Sequence, residues 1–212
     1  MLDRTADISG DSAPLPSTLG RLSAAGLGAF FRPTQAEAAG ITRDELRTLV
    51  RRGDLQREGR GLLRMADAAI TEHYSLAMAS ARVPASIVCL LSALRVHSIG
   101  SQAPAEIWLA IPHKARVPRL PELQLRIVRF SGIAATLGVH VTQFEGVRAH
   151  ITSPARTVVD CFRYERLVGA EAAMEAFRDS ISQRITTVAE ISRIAELLPS
   201  RRLSAALDLH SI

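Results

Sequence analysis

Basic side chains are concentrated in two short segments of this 212-residue sequence. Residues 41–64 hold seven arginines and four acidic residues, and residues 112–130 hold five basic residues and one glutamate. Guanidinium groups bind phosphates, and their planar fork also pairs with the O6 and N7 atoms of guanine. Of the 26 basic residues, only Lys114 is a lysine. A GC-rich coding sequence would explain that choice of arginine but not the clustering, which favours a polyanionic partner, most simply nucleic acid.

The first basic segment contains a predicted helix over residues 43–52. Thr42 and Glu45 form a capping box at its start, and Gly53 is placed to end it. Three residues fall on one apolar stripe when successive residues are turned by about 100°: Leu46, Leu49 and Val50. The rest of the helix carries the candidate DNA-reading residues Arg43, Arg47, Thr48, Arg51 and Arg52. The alternative interpretation is a solvated helix with a ladder of charged side chains.

The residues before this helix predict the first part of a winged helix-turn-helix over residues 17–67. A short helix begins at Ser17, and a second one over residues 35–39 has Thr34 as its predicted cap. Gly40 ends the second helix, so that only a short turn separates it from the third.

The residues after the helix predict the wing. Residues 55–57 and 62–65 are expected to form two short strands, joined by a turn over residues 58–61. Three arginines of this hairpin are suited to phosphate or minor-groove contact: Arg57, Arg60 and Arg64. This context favours DNA binding over the solvated-helix alternative.

Residues 68–212 are predicted to form a second domain. The predicted helices cover residues 71–82, 85–97, 154–166, 170–182, 188–198 and 200–209. The predicted strands cover residues 106–111, 123–130, 139–144 and 147–152. The expected class is therefore α+β, with a small sheet, flanking helices and a helical C-terminus. The expected core residues include Leu90, Leu91, Leu94, Trp108 and Phe162.

Few residues of the second domain are spaced for catalysis. Gly100 and Ser101, followed by Glu106, resemble the start of a nucleotidyltransferase pattern, but Trp108 stands where the second metal-binding carboxylate should be. A nuclease of the restriction type needs Glu-x-Lys, and Pro112 lies two positions before the single lysine. The histidines and cysteines lack the spacing of metal ligands. We therefore expect no cofactor and no metal ion.

Other polar features of this domain have structural as well as functional interpretations. The loop over residues 112–119 is either a solvated connection or a contact surface for nucleic acid or an acidic partner. Arg156 and Asp160 lie four positions apart on a predicted helix and most simply pair with each other. Cys89 and Cys161 are expected to be buried thiols. The candidate basic surface of the domain comprises Lys114, Arg116, Arg119, Arg126 and Arg129.

The overall composition limits the class of protein. A net charge of +5 and an apolar fraction of 47% are those of an ordinary, basic globular protein. The longest uncharged apolar run, residues 83–94, is shorter than the roughly 20 residues that cross a bilayer. Residues 1–16 have no apolar signal segment and are expected to form a flexible tail. A soluble cytoplasmic protein without a membrane partner is expected.

The sequence resembles the AbiEi antitoxins, the regulator half of bacterial abortive-infection operons that encode type IV toxin–antitoxin systems. In the first domain the resemblance lies in residues 40–43, 46–53 and 55–61. In the second it lies in residues 89–94, His97, residues 106–112, the turn at Gly146 and residues 153–162. The order of the second series is the more specific signal.

The resemblance implies a regulatory role. AbiEi antitoxins carry an N-terminal winged helix that binds inverted repeats in the double-stranded DNA of their own promoter and represses it. Their C-terminal domain, here residues 68–212, counters a cognate nucleotidyltransferase toxin without a stable complex, and no enzymatic activity is expected. One departure is Leu63 in the wing, where the family often has an aromatic residue.

Two other functions remain open on the sequence alone. The second domain could be a degenerate nucleotidyltransferase that acts on nucleotides or nucleic acid, which predicts metal-dependent turnover and Mg²⁺ near Glu106. A transcriptional regulator that senses a small ligand would instead have a closed apolar pocket in that domain and no open basic face.

Overall fold

The computed structural model describes residues 17–59, 61–69 and 71–210. The expected flexible tail, residues 1–16, and the wing residue Arg60 lie outside the described residues. The chain divides into two compact units, of which the first ends at Asp67 and the second begins at Ala68. Each unit has its own sheet and its own core.

The first unit has the element order of a winged helix-turn-helix. Its elements are α1 (Thr18–Ala24), β1 (Phe30–Phe31), α2 (Pro33–Ala38), α3 (Arg43–Arg52), β2 (Leu55–Arg57) and β3 (Leu63–Met65). The three strands form an antiparallel sheet in the order β1-β3-β2. The sequence therefore predicted α3 and both strands of the wing to within a residue, but it did not predict β1.

The start of α2 also differs from the prediction. The helix begins at Pro33, with Arg32 as the N-cap residue, so that Thr34 lies inside the first turn. Proline is favoured at the first position of a helix because it has no N–H to leave unpaired. The pairing of β1 with β3 places Phe30 opposite Arg64, and both phenylalanines of β1 are buried.

Local sequence signals define α3. The Glu45 N–H donates to Thr42 Oγ1 at 3.2 Å, and the Thr42 N–H donates to Glu45 Oε2 at 2.8 Å, which completes the predicted capping box. Gly53 ends the helix with a φ of +84°, a conformation that a side chain would strain. Leu46 and Leu49 are buried as predicted, whereas Val50 is half-buried. Leu63 is also buried in this core, so the leucine packs where the family often has a ring.

The second unit is a five-stranded sheet with helices on both faces. Its strands are β4 (Ile87–Val88), β5 (Ile107–Pro112), β6 (Leu125–Phe130), β7 (Val139–Phe144) and β8 (Val147–Thr152), in the order β6-β5-β4-β8-β7. Its helices are α4 (Tyr74–Arg82), α5 (Leu90–Val96), α6 (Pro154–Arg163), α7 (Glu165–Val168), α8 (Ala170–Ser182), α9 (Val188–Leu197) and α10 (Arg201–His210). The fold class predicted from the sequence, α+β, is confirmed.

One predicted helix, residues 85–97, is wrong in its first half. Ile87 and Val88 form the central strand β4, which pairs antiparallel with β5 and parallel with β8. Cys89 lies between this strand and α5, and Leu90 at the start of α5 has a φ of +49°. A short apolar run has no periodicity that separates a buried strand from a buried helix, so its long-range partners decide.

The two faces of the sheet are covered differently. α4 contacts β4, β5, β7 and β8, while α5 and α6 pack on the other face and α8, α9 and α10 pack on α6. Leu90, Leu94, Trp108 and Phe162 belong to the main core, as predicted, and Leu91 packs against it half-buried. The predicted helix 154–166 is interrupted at Tyr164, where α6 ends.

Arg156 is the largest fully buried side chain of the second unit. Its Nε donates to Asp160 Oδ2 at 2.8 Å, as the four-residue spacing predicted, and Nη2 donates to the carbonyl of Ala134 at 2.9 Å. Nη1 donates to the carbonyl of Leu137. The guanidinium carbon lies 4.8 Å from the centre of the Phe130 ring. Arg156 thus joins α6 to the end of β6 and to the connection that follows.

The buried stripe of α3 yields a stability prediction for the first unit. Leu49→Ala should reduce the free energy of unfolding of residues 17–67 by about 2–5 kcal/mol, because it leaves a cavity in the core. Urea denaturation followed by circular dichroism measures the loss. Thr48→Ala, on the exposed side of the same helix, is the control and should change stability by less than about 0.5 kcal/mol. A loss below about 1 kcal/mol for Leu49→Ala would show that the stripe is not packed as described.

Candidate nucleic-acid interface

The predicted DNA-reading residues of α3 lie at the surface of the first unit. Five exposed side chains lie away from the buried Leu46 and Leu49: Arg43, Arg47, Thr48, Arg51 and Arg52. A helix of this kind, placed after a short turn from α2 and before a hairpin, presents its exposed side chains to the major groove in helix-turn-helix proteins.

Short-range contacts hold these arginines in place. Arg47 Nη1 lies 2.7 Å from Asp44 Oδ1, and Arg51 Nη2 donates to Thr48 Oγ1 at 2.9 Å. The Arg43 Nε donates to Glu37 Oε1 of α2 at 2.5 Å, and this hydrogen bond raises the pKa of Arg43 above its usual range. Because exposed ion pairs add little stability, a DNA phosphate can replace the carboxylate at low cost.

The wing arginines differ from one another in exposure. Arg57 on β2 is exposed. Arg64 is only 6% exposed: on the central strand β3 it lies opposite Phe30 of β1 and Gln56 of β2, and its Nη1 donates to Gln56 Oε1 at 3.3 Å. Arg64 was a candidate for phosphate contact, but it is buried. We therefore leave this residue out of the proposed DNA surface.

A cavity of about 280 Å³ lies between α3 and the wing. It brings together three of the predicted arginines with four apolar residues: Arg43, Arg47, Arg57, Pro33, Leu46, Val50 and Leu63. Thr48, Arg51 and Arg52 do not line it. Neither Pro33 nor Arg32 was predicted from the sequence to lie at this site. The Arg32 Nη1 would lie 4.0 Å from a Cβ placed on Gly61 of the wing turn. A correct start for α2 would have drawn attention to both.

The basic surface of the second unit is built around the connection between β5 and β6. Lys114, Arg116 and Arg119 are exposed in this connection, and Arg126 and Arg129 are exposed on the edge strand β6. Arg129 also has a structural task, since its Nη1 donates to the carbonyls of Pro112 at 3.1 Å and Ala115 at 3.0 Å. The guanidinium carbon of Arg126 lies 5.6 Å from the Trp108 ring.

The turn at Gly100 and Ser101 is already occupied by carboxylates of α8. The Gly100 N–H donates to Asp179 Oδ2 at 2.6 Å, and the Ser101 N–H donates to Glu175 Oε1 at 2.9 Å. Hydrogen bonds from the Ser101 side chain, the Gln102 side chain and the Ser101 N–H hold the pKa of Glu175 below its usual range, and the bond from the Gly100 N–H lowers the pKa of Asp179. The two N–H groups that would bind a nucleotide phosphate in a nucleotidyltransferase are therefore engaged within the protein.

The other candidate chemical groups of the second unit do not assemble into a metal site. Glu106 lines a polar cavity of about 290 Å³ that is also lined by Glu72, Arg95 and Glu122. In residues 17–59, 61–69 and 71–210, no three His, Cys, Asp or Glu side chains are grouped so as to hold a metal ion. Cys89 and Cys161 are both buried, and burial raises the pKa of each thiol.

The two units together define a class of protein: a winged helix-turn-helix regulator with an α+β domain attached. Residues 17–66 match a family model described as "Transcriptional regulator, AbiEi antitoxin", and residues 86–210 match one described as "AbiEi antitoxin C-terminal domain". The chain therefore belongs to the AbiEi antitoxin family, and the resemblance found in the sequence is confirmed.

The fold is similar to that of a solved mycobacterial protein. The RV2827C protein from Mycobacterium tuberculosis shares 17% sequence identity with this chain, with a TM-score of 0.52 over 87% of this chain and 73% of that one. None of the curated proteins compared with the sequence matches it. In the part of the chain that the structure describes, no helix has the length and apolar composition needed to cross a bilayer.

The contacts of the Gly100–Ser101 turn predict a pH-dependent loss of stability. Because the folded pKa of Asp179 is lowered, its carboxylate stabilises the fold above its unfolded pKa, and this contribution disappears as pH falls through the folded pKa. Asp179→Asn should therefore lower the midpoint of denaturation at pH 7, and the difference from wild type should vanish under acidic conditions. Glu196→Gln, exposed on α9, serves as the control. An equal difference at both pH values would contradict this assignment.

Proposed function

We propose that this antitoxin is an autorepressor that binds inverted repeats in its own promoter and counters a cognate nucleotidyltransferase toxin without a stable complex. The observation that carries the DNA-binding part is the convergence of Arg43 and Arg47 of α3 with Arg57 of the wing around one cavity. Action on a promoter and on a toxin inside the cell makes the protein cytoplasmic.

In this proposal α3 enters the major groove. Arg47 is central on the exposed side and can bridge the O6 and N7 atoms of one guanine. Arg43, Arg51 and Arg52 grip phosphates on either side, and Thr48 contacts a base edge or phosphate between them. Arg57 and the wing residue Arg60 contact the backbone, where they add affinity but little sequence preference.

A pair of substitutions separates base reading from phosphate contact. Arg47→Ala should weaken operator binding by about 1–3 kcal/mol and relax base preference at one position. Arg57→Ala should weaken binding to all sequences alike and reduce the salt dependence by about one phosphate contact. Titrations of operator and scrambled duplexes at several salt concentrations measure both effects.

Arg193→Ala, exposed on α9 of the second unit, is the matched control and should leave both titrations unchanged. Wild-type operator affinity for Arg47→Ala would show that α3 does not read the major groove.

The second unit is proposed to act by contact and not by catalysis. The engaged N–H groups of Gly100 and Ser101 support this, since a nucleotide phosphate would have to displace two carboxylates of the same chain. The exposed Lys114, Arg116 and Arg119 offer a basic surface to nucleic acid or to an acidic partner. Incubation with nucleotides, RNA and Mg²⁺ should give no turnover, and reproducible metal-dependent turnover would favour the enzyme alternative instead.

The division at Asp67 predicts that the two activities separate. Residues 68–212 alone should rescue cells from the cognate toxin yet fail to shift operator DNA, whereas residues 1–67 should bind DNA weakly and give no rescue. Changing Lys114, Arg116 and Arg119 together to glutamine should reduce rescue while operator binding persists. Growth on co-expression with the toxin, beside gel shifts of the same proteins, measures both activities.

Two further results would decide the role of the second unit. Changing Arg166, Arg184 and Arg193 together to glutamine removes the same charge from exposed sites elsewhere and should not reduce rescue. If residues 68–212 fold but give no rescue, the antitoxin effect depends on repression alone.

A further inference from the structure

The cavity between α3 and the wing has two chemically distinct parts. Leu46, Val50 and Leu63, with Pro33, supply an apolar lining, and Arg43, Arg47 and Arg57 complete it. Leu46 and Leu63 are buried, while Val50 is only half-buried and so leaves apolar surface toward the cavity. A phosphodiester group alone would use the arginines and leave this apolar surface in contact with water.

The charge around the cavity is smaller than three arginines indicate. Arg43 pairs with Glu37 at 2.5 Å, and Arg47 pairs with Asp44 at 2.7 Å. Three guanidinium groups and these two carboxylates leave one net positive charge. That balance matches a ligand with one negative charge.

We propose that this cavity binds a small amphipathic monoanion, of the class of aromatic or branched aliphatic carboxylates. The apolar body would lie against Val50 and Leu63, and the carboxylate would accept hydrogen bonds from Arg57 and a neighbouring arginine of α3. A volume of about 280 Å³ is at the small end for ligand pockets, so the ligand is a single ring or a short chain.

Such a ligand would compete with DNA, because it binds Arg57 and an arginine of α3. This second step rests on the proposed function, since it requires these arginines to contact an operator. It would make the antitoxin a repressor that a small carboxylate releases, through the DNA-binding unit and not through a pocket in the second unit.

The binding step is tested on the full chain with benzoate as the probe. Amide spectra of the ¹⁵N-labelled protein are followed during titration with benzoate, benzyl alcohol and inorganic phosphate. Benzoate should shift the amides of Val50 and Leu63 saturably, and the other two should bind about ten-fold more weakly or worse, since each lacks one half of the recognition. Phosphate binding as tight as benzoate, or no saturable benzoate shift, would overturn the proposal.

Matched variants locate the site. Arg57→Gln should weaken benzoate binding about ten-fold, and Val50→Thr, which keeps the branched shape but adds a hydroxyl, should also weaken it. Arg51→Gln removes an arginine of α3 that does not line the cavity, and it should change the affinity by less than about two-fold. Equal weakening by Arg57→Gln and Arg51→Gln would show nonspecific attraction and would refute the site. The amide spectra of the variants show whether each is folded.

The competition step uses gel shifts of promoter DNA. In wild type, half of the DNA should be released at a benzoate concentration set by the affinity for benzoate. Val50→Thr weakens benzoate binding and should therefore raise the concentration needed. DNA that stays bound at saturating benzoate overturns the competition while the ligand site stands. Absence of any DNA binding refutes the proposed function instead, and the benzoate titration still decides the site.

Discussion

The position of the basic edge of the second unit depends on one buried guanidinium. Arg156 is fully enclosed, and an isolated charge there would cost several kcal/mol. Asp160 and the carbonyls of Ala134 and Leu137 compensate it, although burial still raises the pKa of Asp160. Buried ion pairs add little net stability compared with apolar packing, but their geometry is demanding. Arg156 therefore fixes where the chain runs after β6 more than it strengthens the fold.

Further contacts connect Arg156 to β6 and to the loop beside it. The Arg156 guanidinium stacks on Phe130, and the neighbouring Arg129 carbonyl accepts a hydrogen bond from the Tyr164 hydroxyl at 3.1 Å. The Arg129 side chain in turn binds the carbonyls of the loop after β5. Arg156 also requires a glycine at position 138, because a Cβ there would lie 2.8 Å from the Arg156 Cβ. The φ of Gly138, +62°, favours glycine as well. The loop that carries Lys114 is thus connected, contact by contact, to the interior of the unit.

Elements that are defined by local sequence signals could be predicted correctly. The capping box of Thr42 and Glu45 placed α3, and the tight turn at Glu145 and Gly146 placed the β7–β8 hairpin. The short strands β1 and β4 could not be predicted, because each is only two residues long and owes its existence to partners far away in the chain. The failure to predict β1 had a consequence for Arg64. Without β1, neither the central position of β3 nor the burial of Arg64 could be predicted.

The candidate site was likewise predictable only where local sequence signals define it. The exposed side of α3 could be read from helical periodicity, but the cavity beside it requires the packing of α2, α3 and the wing. Likewise, the sequence showed the Gly100–Ser101 pair, while the carboxylates that engage it come from positions 74 and 79 residues further along the chain.

The arginine-rich composition has a practical consequence at Lys114. Guanidinium groups stay protonated in proteins, so they do not act as nucleophiles, whereas a lysine amine does when deprotonated. Lys114 is the sole lysine of the chain, and it is exposed in the connection between β5 and β6. Amine-directed chemistry, whether an acetyl group added in the cell or a dye added in the laboratory, therefore has one side-chain target, and it lies on the surface proposed for antitoxin contact.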